Sequence, residues 1–148
     1  MKSAISVAVL IGFIVVSVPA FGKASHGTMD EAKDLALRAA AYVREVGEEA
    51  AFKAFNAGGE WVDRDLYVVV NNESGISPVN AKVPEMVGRN MYDLKDSNGK
   101  YFVRDILKVK TEGWVEYKWL DPLTKRLSTK HSYVVRVGSN LIFVGAYD

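Results

Sequence analysis

Gly113-Trp114-Val115-Glu116-Tyr117-Lys118-Trp119-Leu120-Asp121-Pro122, then Lys130-His131-Ser132-Tyr133-Val134-Val135-Arg136-Val137, then Asn140-Leu141-Ile142-Phe143-Val144-Gly145-Ala146-Tyr147 form the stretch on which the fold turns. Each run is rich in aromatic and β-branched residues, which suit a pleated, half-buried surface. Asp121-Pro122 and Gly138-Ser139-Asn140 supply turn residues between them. This pattern predicts an antiparallel meander. Alternation places Val115, Tyr117 and Trp119 on one face of the first run. In the second, His131, Tyr133, Val135 and Val137 alternate with Lys130, Ser132, Val134 and Arg136. Which face would hold a pocket stays open at this point.

Upstream, Thr28 and Glu31 have capping-box spacing, with Asp30 and Glu31 in the first turn. A helix is expected from about Asp30 to Asn56, roughly 40 Å at 1.5 Å per residue. Leu35, Ala39, Tyr42, Val46 and Ala50 form its apolar stripe. Gly47 lies inside it as a close approach or a bend, and Gly58-Gly59 ends it. Leu66 to Asn71 reads as a strand, Asn72-Glu73-Ser74-Gly75 as a hairpin turn, and Ile76 to Val79 as the return strand. Asn80 to Asn98 is irregular, and Tyr101 to Lys110 reads as a second, shorter helix. Five strands in hairpin order with helices packed on them make an α+β domain of PAS-like type. Its sheet is antiparallel, covered by the long N-terminal helix and by the loop with the short helix.

The net charge is +1 and basic residues do not cluster, which argues against a nucleic-acid partner. Lys2 precedes the uncharged run Ala4 to Val18, and Val18-Pro19-Ala20 resembles a cleavage site, so residues 1–20 read as a signal peptide. An uncleaved membrane anchor is the alternative, but the run is shorter than the ~20 residues of a bilayer span. Residues 21–29 are then a polar lead-in and residues 30–148 one domain. The product is expected in the periplasm or outside the cell. The chain has no cysteine, so neither a disulfide nor a cysteine-linked lipid anchor can hold it.

Several short motifs recur in a familiar order. They are Tyr67-Val68-Val69-Val70 with Gly75, Ser77-Pro78-Val79-Asn80, Val87-Gly88-Arg89-Asn90 and Asp96-Ser97-Asn98-Gly99. Gly113-x-x-x-Tyr117-x-Trp119-x-x-Pro122, Lys130-x-x-Tyr133-Val134 and Phe143-Val144-Gly145-Ala146-Tyr147 complete them. With these motifs the mature chain resembles a single Cache domain, here in a free-standing exported form. The resemblance implies extracytoplasmic sensing of small molecules, commonly organic acids, in a pocket between the sheet and the loop-helix segment. It also implies signal transduction through a partner, such as a membrane sensor or chemoreceptor. The chain departs from the family pattern at Ser77, where histidine is frequent, and at Trp114, where a smaller residue is common. No downstream transmembrane helix or signalling module follows.

Candidate ligand-binding residues are Tyr67, Tyr117, Trp119 and Tyr133 as walls, and Lys130 and Arg104 as carboxylate partners. The bland alternatives are core aromatics and solvated charges, and Arg89 has the same two readings. His26 and His131 do not make a zinc site without cysteine, and Asp93, Asp96 and Asn98 lack the rest of an EF-hand loop. Ser128, Ser132 and His131 show no nucleophile-elbow pattern, and no phosphate-binding glycine motif occurs. No catalytic residues, cofactor or metal are expected. The competing function is a periplasmic interaction or structural module with a filled core. In it the long helix would pair with a second copy or with a membrane sensor.

Overall fold

The computed structural model describes residues 25–148. The expected signal peptide and the first four residues of the lead-in, 21–24, therefore lie outside the described residues. The Thr28 capping box forms as the spacing predicts: Glu31 N donates to Thr28 Oγ1 at 3.2 Å, and Thr28 N donates to Glu31 Oε2 at 2.7 Å. Helix α1 (Met29–Val46) follows, and α2 (Glu48–Asn56) continues after a break. The single helix expected over 30–56 is thus two. Gly47 sits at φ 85 and ψ 164, a conformation open essentially only to glycine. Val46, the last residue of α1, and Ala50, beyond the break, are both exposed instead of extending the stripe. The buried face is alanine-rich: Ala32, Ala36, Ala39 and Ala40 are fully buried beside Leu35 and Val43. Small side chains let the helix backbone lie close on the sheet.

After a 3-10 turn carrying the buried Trp61, β1 (Val62–Asp63) and β2 (Leu66–Tyr67) make a small two-stranded sheet that sequence patterning does not reveal. The predicted strand 66–71 is divided at Val68, whose N–H donates to Trp61 O while its carbonyl accepts from Ala81 N. Strand β3 (Val69–Asn72) then enters the main sheet. The turn after it is held by Asn72 Oδ1, which accepts from Ser74 N and Ile76 N, both at 3.0 Å. Gly75 has φ 80 and lies against Tyr92, whose Cβ would be 2.8 Å from any added Cβ. The return strand is shorter than expected: only β4 (Val79–Asn80) pairs with β3, and Ile76 bridges to Asn90. Pro78 lacks the N–H that would lengthen the ladder. Helix α3 covers Phe102–Leu107, not the full 101–110.

The meander is present as β5 (Glu112–Leu120), β6 (Leu127–Val137) and β7 (Asn140–Tyr147). The main sheet has five strands, β4-β3-β7-β6-β5, with every described pairing antiparallel. The last strand in sequence is central, and all eight of its residues are buried. One face carries Val68, Val70, Tyr133, Val135, Ile142 and Val144 against α1, α2 and Trp61. The other carries Tyr67, Val69, Tyr117, Val134, Leu141 and Phe143 against α3 and Met91. The α+β, PAS-like architecture is therefore as patterning predicts.

The lead-in is fastened to the domain. Gly27 N donates to Asp65 Oδ1 at 2.6 Å, Arg64 donates to His26 O at 3.2 Å, and His26 Nε2 lies 2.7 Å from Asp121 Oδ2. Asp121 also accepts from Leu123 N at 2.8 Å and from Thr124 Oγ1 at 2.6 Å, and so organises the β5–β6 turn. Burial alone raises its carboxyl pKa, but the hydrogen bonds from Thr124, Leu123 and His26 outweigh burial and hold it at about 2. A depressed folded-state pKa stabilises the fold above the unfolded value of ~3.9 and ceases to do so as pH falls through the folded value. Asp121→Ala is expected to cost about 1–3 kcal/mol at neutral pH, through lost capping and orphaned donors. The gap between variant and parent should close as pH falls from about 4 to about 2. Urea unfolding at several pH values measures this, and a gap independent of pH would contradict it.

Candidate functional site

Between the sheet and the segment that carries Met86, Met91, Leu94 and α3 lies a cavity of about 40 Å³. The sheet contributes Tyr67, Val69, Asn71, Tyr117, Trp119, Lys130 and Phe143 to its walls. Ser77, Asn80, Phe102 and Val103 close it. None of the lining residues is acidic.

Lys130 dominates the electrostatics. It is 3% exposed, yet no carboxylate among the described residues is within ion-pair reach. Its Nζ donates to Tyr67 Oη at 3.0 Å and lies 4.1 Å from the Tyr67 ring centroid and 5.0 Å from that of Tyr147. Burial on its own pushes the ammonium pKa down. The hydrogen bond that Tyr67 Oη accepts from Nζ acts the other way and favours the charged form. Burial likewise raises the Tyr117 and Tyr147 phenols, which therefore stay neutral. The site thus holds one positive charge in an aromatic enclosure at neutral pH.

Gly145 explains how a lysine fits there. Lys130 pairs with Tyr147 across β6 and β7 and leans over the neighbouring Gly145. A Cβ at Gly145 would lie 2.5 Å from Ser132 Oγ and 2.8 Å from Lys130 Cγ. Glycine inside a strand often marks such a close crossing. Ser132 in turn shares a 2.9 Å hydrogen bond with Tyr117 Oη, and the Phe102 ring stacks on Tyr117 at 4.1 Å and 14°. Trp119 lies 5.2 Å from Phe102.

Four of the six residues singled out from sequence meet here: Tyr67, Tyr117, Trp119 and Lys130. Two do not. Tyr133 faces the α1 layer, where it meets Trp114 edge-on at 4.9 Å with Lys33 Nζ 5.0 Å from its ring. Arg104 is on the outer side of α3, ion-paired to Asp93 and set against the rings of Tyr92 and Tyr101. The polar lining residues missed from sequence are Asn71, Ser77 and Asn80, which make a polar end of the cavity. Ser77 Oγ shares its one hydrogen between Val70 O and Val79 O, and Asn80 Oδ1 accepts from Lys82 N and Val83 N. Asn71 Oδ1 is buried with no hydrogen-bond partner among the described residues.

Asp96 is no cation ligand here. It accepts from Asn98 N, Lys100 N and Lys118 N, each at 2.9 Å, which clamps the 96–100 turn onto the edge strand β5. Burial raises its pKa, and these three backbone hydrogen bonds more than reverse that, lowering it. Among the described residues no three His, Asp or Glu side chains gather as a metal site. None of the described helices is long and apolar enough to cross a membrane.

Comparison with known proteins bears on this arrangement. The family described as Single Cache domain 2 matches residues 14–145. Among solved structures, the chain is similar to a methyl-accepting chemotaxis protein from Vibrio parahaemolyticus, with 21% identity and a TM-score of 0.69 over 80% of this chain and 86% of that one. It is similar to a periplasmic sensor domain of a chemotaxis protein, with 21% identity and a TM-score of 0.60 over 77% and 85% of the two chains. It is also similar to a Cache chemosensory domain solved for its carboxylic acid recognition, with 21% identity and a TM-score of 0.61 over 76% and 83%. At this identity the neighbours establish a shared fold. No curated protein matches. The family match spans most of the sequence, and the fold of the described residues is shared with the solved sensor domains: this chain belongs to the single Cache domain family.

Proposed function

We propose that the chain is an exported sensor domain that holds a small organic acid in this cavity and passes its presence to a partner protein. The observation that carries the proposal is Lys130: a buried ammonium on a cavity wall, with no acidic counterpart among the described residues. Burying a lone charge is costly unless something pairs with it. A ligand carboxylate supplies that pair in a water-poor enclosure, where charge-assisted hydrogen bonds are strongest. The apolar walls made by Phe102, Trp119, Phe143 and Met91 suit a short hydrocarbon portion. The carboxylic acid recognised by a neighbour of the same fold is consistent with this chemistry. The proposal includes export, with residues 1–20 as a signal peptide.

Thermal unfolding of the full chain against straight-chain carboxylates of increasing length tests it, with the matching alcohols and amines as controls. An acid at 100 times its dissociation constant should add about 2.7 kcal/mol, a shift of several degrees. The shift should be confined to acids and peak at short chains. Equal shifts with alcohols, or none with any acid, would refute the acid-binding role.

A further inference from the structure

The cavity has a second polar end that Lys130 does not reach. Asn71 is 2% exposed, lines the cavity, and its Oδ1 has no hydrogen-bond partner among the described residues. The donors of its polar neighbours are already committed: Ser77 Oγ shares its one hydrogen between the Val70 and Val79 carbonyls, and Asn80 Nδ2 donates to Met86 Sδ at 3.6 Å. Strand register separates the two ends. Asn71 pairs with Leu141, whereas Lys130 leans over Gly145, four residues further along β7, about 13 Å away at ~3.3 Å per residue. The paired residues Val69 and Phe143 lie between the two ends and are apolar.

We infer that the cavity takes a hydroxy-carboxylate whose hydroxyl lies far from its acid group. The carboxylate sits at Lys130 and the hydroxyl donates to Asn71 Oδ1. This inference rests on the acid-binding role proposed above and adds the other half of the ligand. A hydroxyl supplies the missing donor without charge. An ammonium would be a second buried cation, and no lining residue is acidic. A hydroxyl on the carbon next to the carboxylate stays at the Lys130 end and leaves Asn71 unpartnered.

Calorimetric titration of the full chain with length-matched pairs tests this: butanoate against 4-hydroxybutanoate, pentanoate against 5-hydroxypentanoate, and 2-hydroxybutanoate as the control. The remote hydroxyl should tighten binding about tenfold in at least one pair, on the scale of one well-placed hydrogen bond, and the adjacent hydroxyl should not. Asn71→Leu should abolish that advantage, so that the hydroxy acid and its parent acid bind the variant with equal affinity. Asn71→Ser, which keeps a polar group but shortens its reach, should abolish it too and covers the case of a misfolded leucine variant. Parent acids that bind with no gain from the remote hydroxyl would overturn the inference, as with a bound water satisfying Asn71, and leave the role of Lys130 standing. A gain that survives both substitutions would also overturn it. Failure of every acid to bind would overturn both.

Discussion

Replacing Lys130 with methionine is expected to weaken binding of any acid ligand by about 2–5 kcal/mol, roughly 30-fold to several thousand-fold. The ligand carboxylate would enter an apolar enclosure with no counter-charge, since Lys130 is the one cation among the lining residues. Methionine keeps an unbranched chain of similar length, so the passage over Gly145 stays filled. The unliganded variant should unfold no earlier than the parent, because exchanging a buried charged group for an apolar one of similar volume is often neutral or stabilising. The combined result is the informative one: equal or higher stability alone, and loss of the ligand-induced shift. A variant that retains the shift would place the acid elsewhere. A variant that unfolds early without ligand would make Lys130 a structural residue.

The second large effect belongs to the opposite layer. Phe55 is fully buried, 4.6 Å from Trp61 in an edge-to-face contact, 6.1 Å from Tyr42 and 6.5 Å from Phe52. It is the anchor by which α2, reoriented by Gly47, joins the core. Phe55→Ala is expected to cost about 3–5 kcal/mol, a fall in Tm on the order of 10 °C or more. Phe55→Leu should cost markedly less, because most of the volume is kept. Since Phe55 lies across the sheet from the cavity, ligand affinity of the folded fraction should be unaltered. Chemical denaturation with and without ligand separates the two quantities.

The meander was legible because strand alternation and turn chemistry are local. So were the Thr28 cap and the strand positions of Tyr67, Tyr117 and Trp119. The choice of Tyr133 as a pocket wall was avoidable. It stands three residues from Lys130 in one strand, so the two must face opposite sides of the sheet. Arg104 sits between the inward-facing Val103 and Ile106, and its position depends on a helix shorter than patterning suggests. Asn71 was hidden for another reason. Its role depends on β3 pairing with β7, about 70 residues away, and on the Ser77 and Asn80 donors being committed elsewhere. The division of the first helix needed the actual φ at Gly47, although the glycine itself flagged the place.

The unlike construction of the two layers has an evolutionary consequence. On one side, fully buried alanines hold α1 against the sheet, and any larger side chain there would push the layers apart. On the other side the cavity is closed by Met86, Met91 and Leu94, carried by a segment whose regular structure is one short turn at Pro84–Met86. Methionine adapts its shape at little cost. Substitutions at Met86, Met91 and Leu94 are therefore expected to reshape the cavity at small cost, while enlargement of the buried alanines is expected to cost the fold itself. Descendants of one such domain can diversify in chemical taste without first having to re-evolve a stable fold.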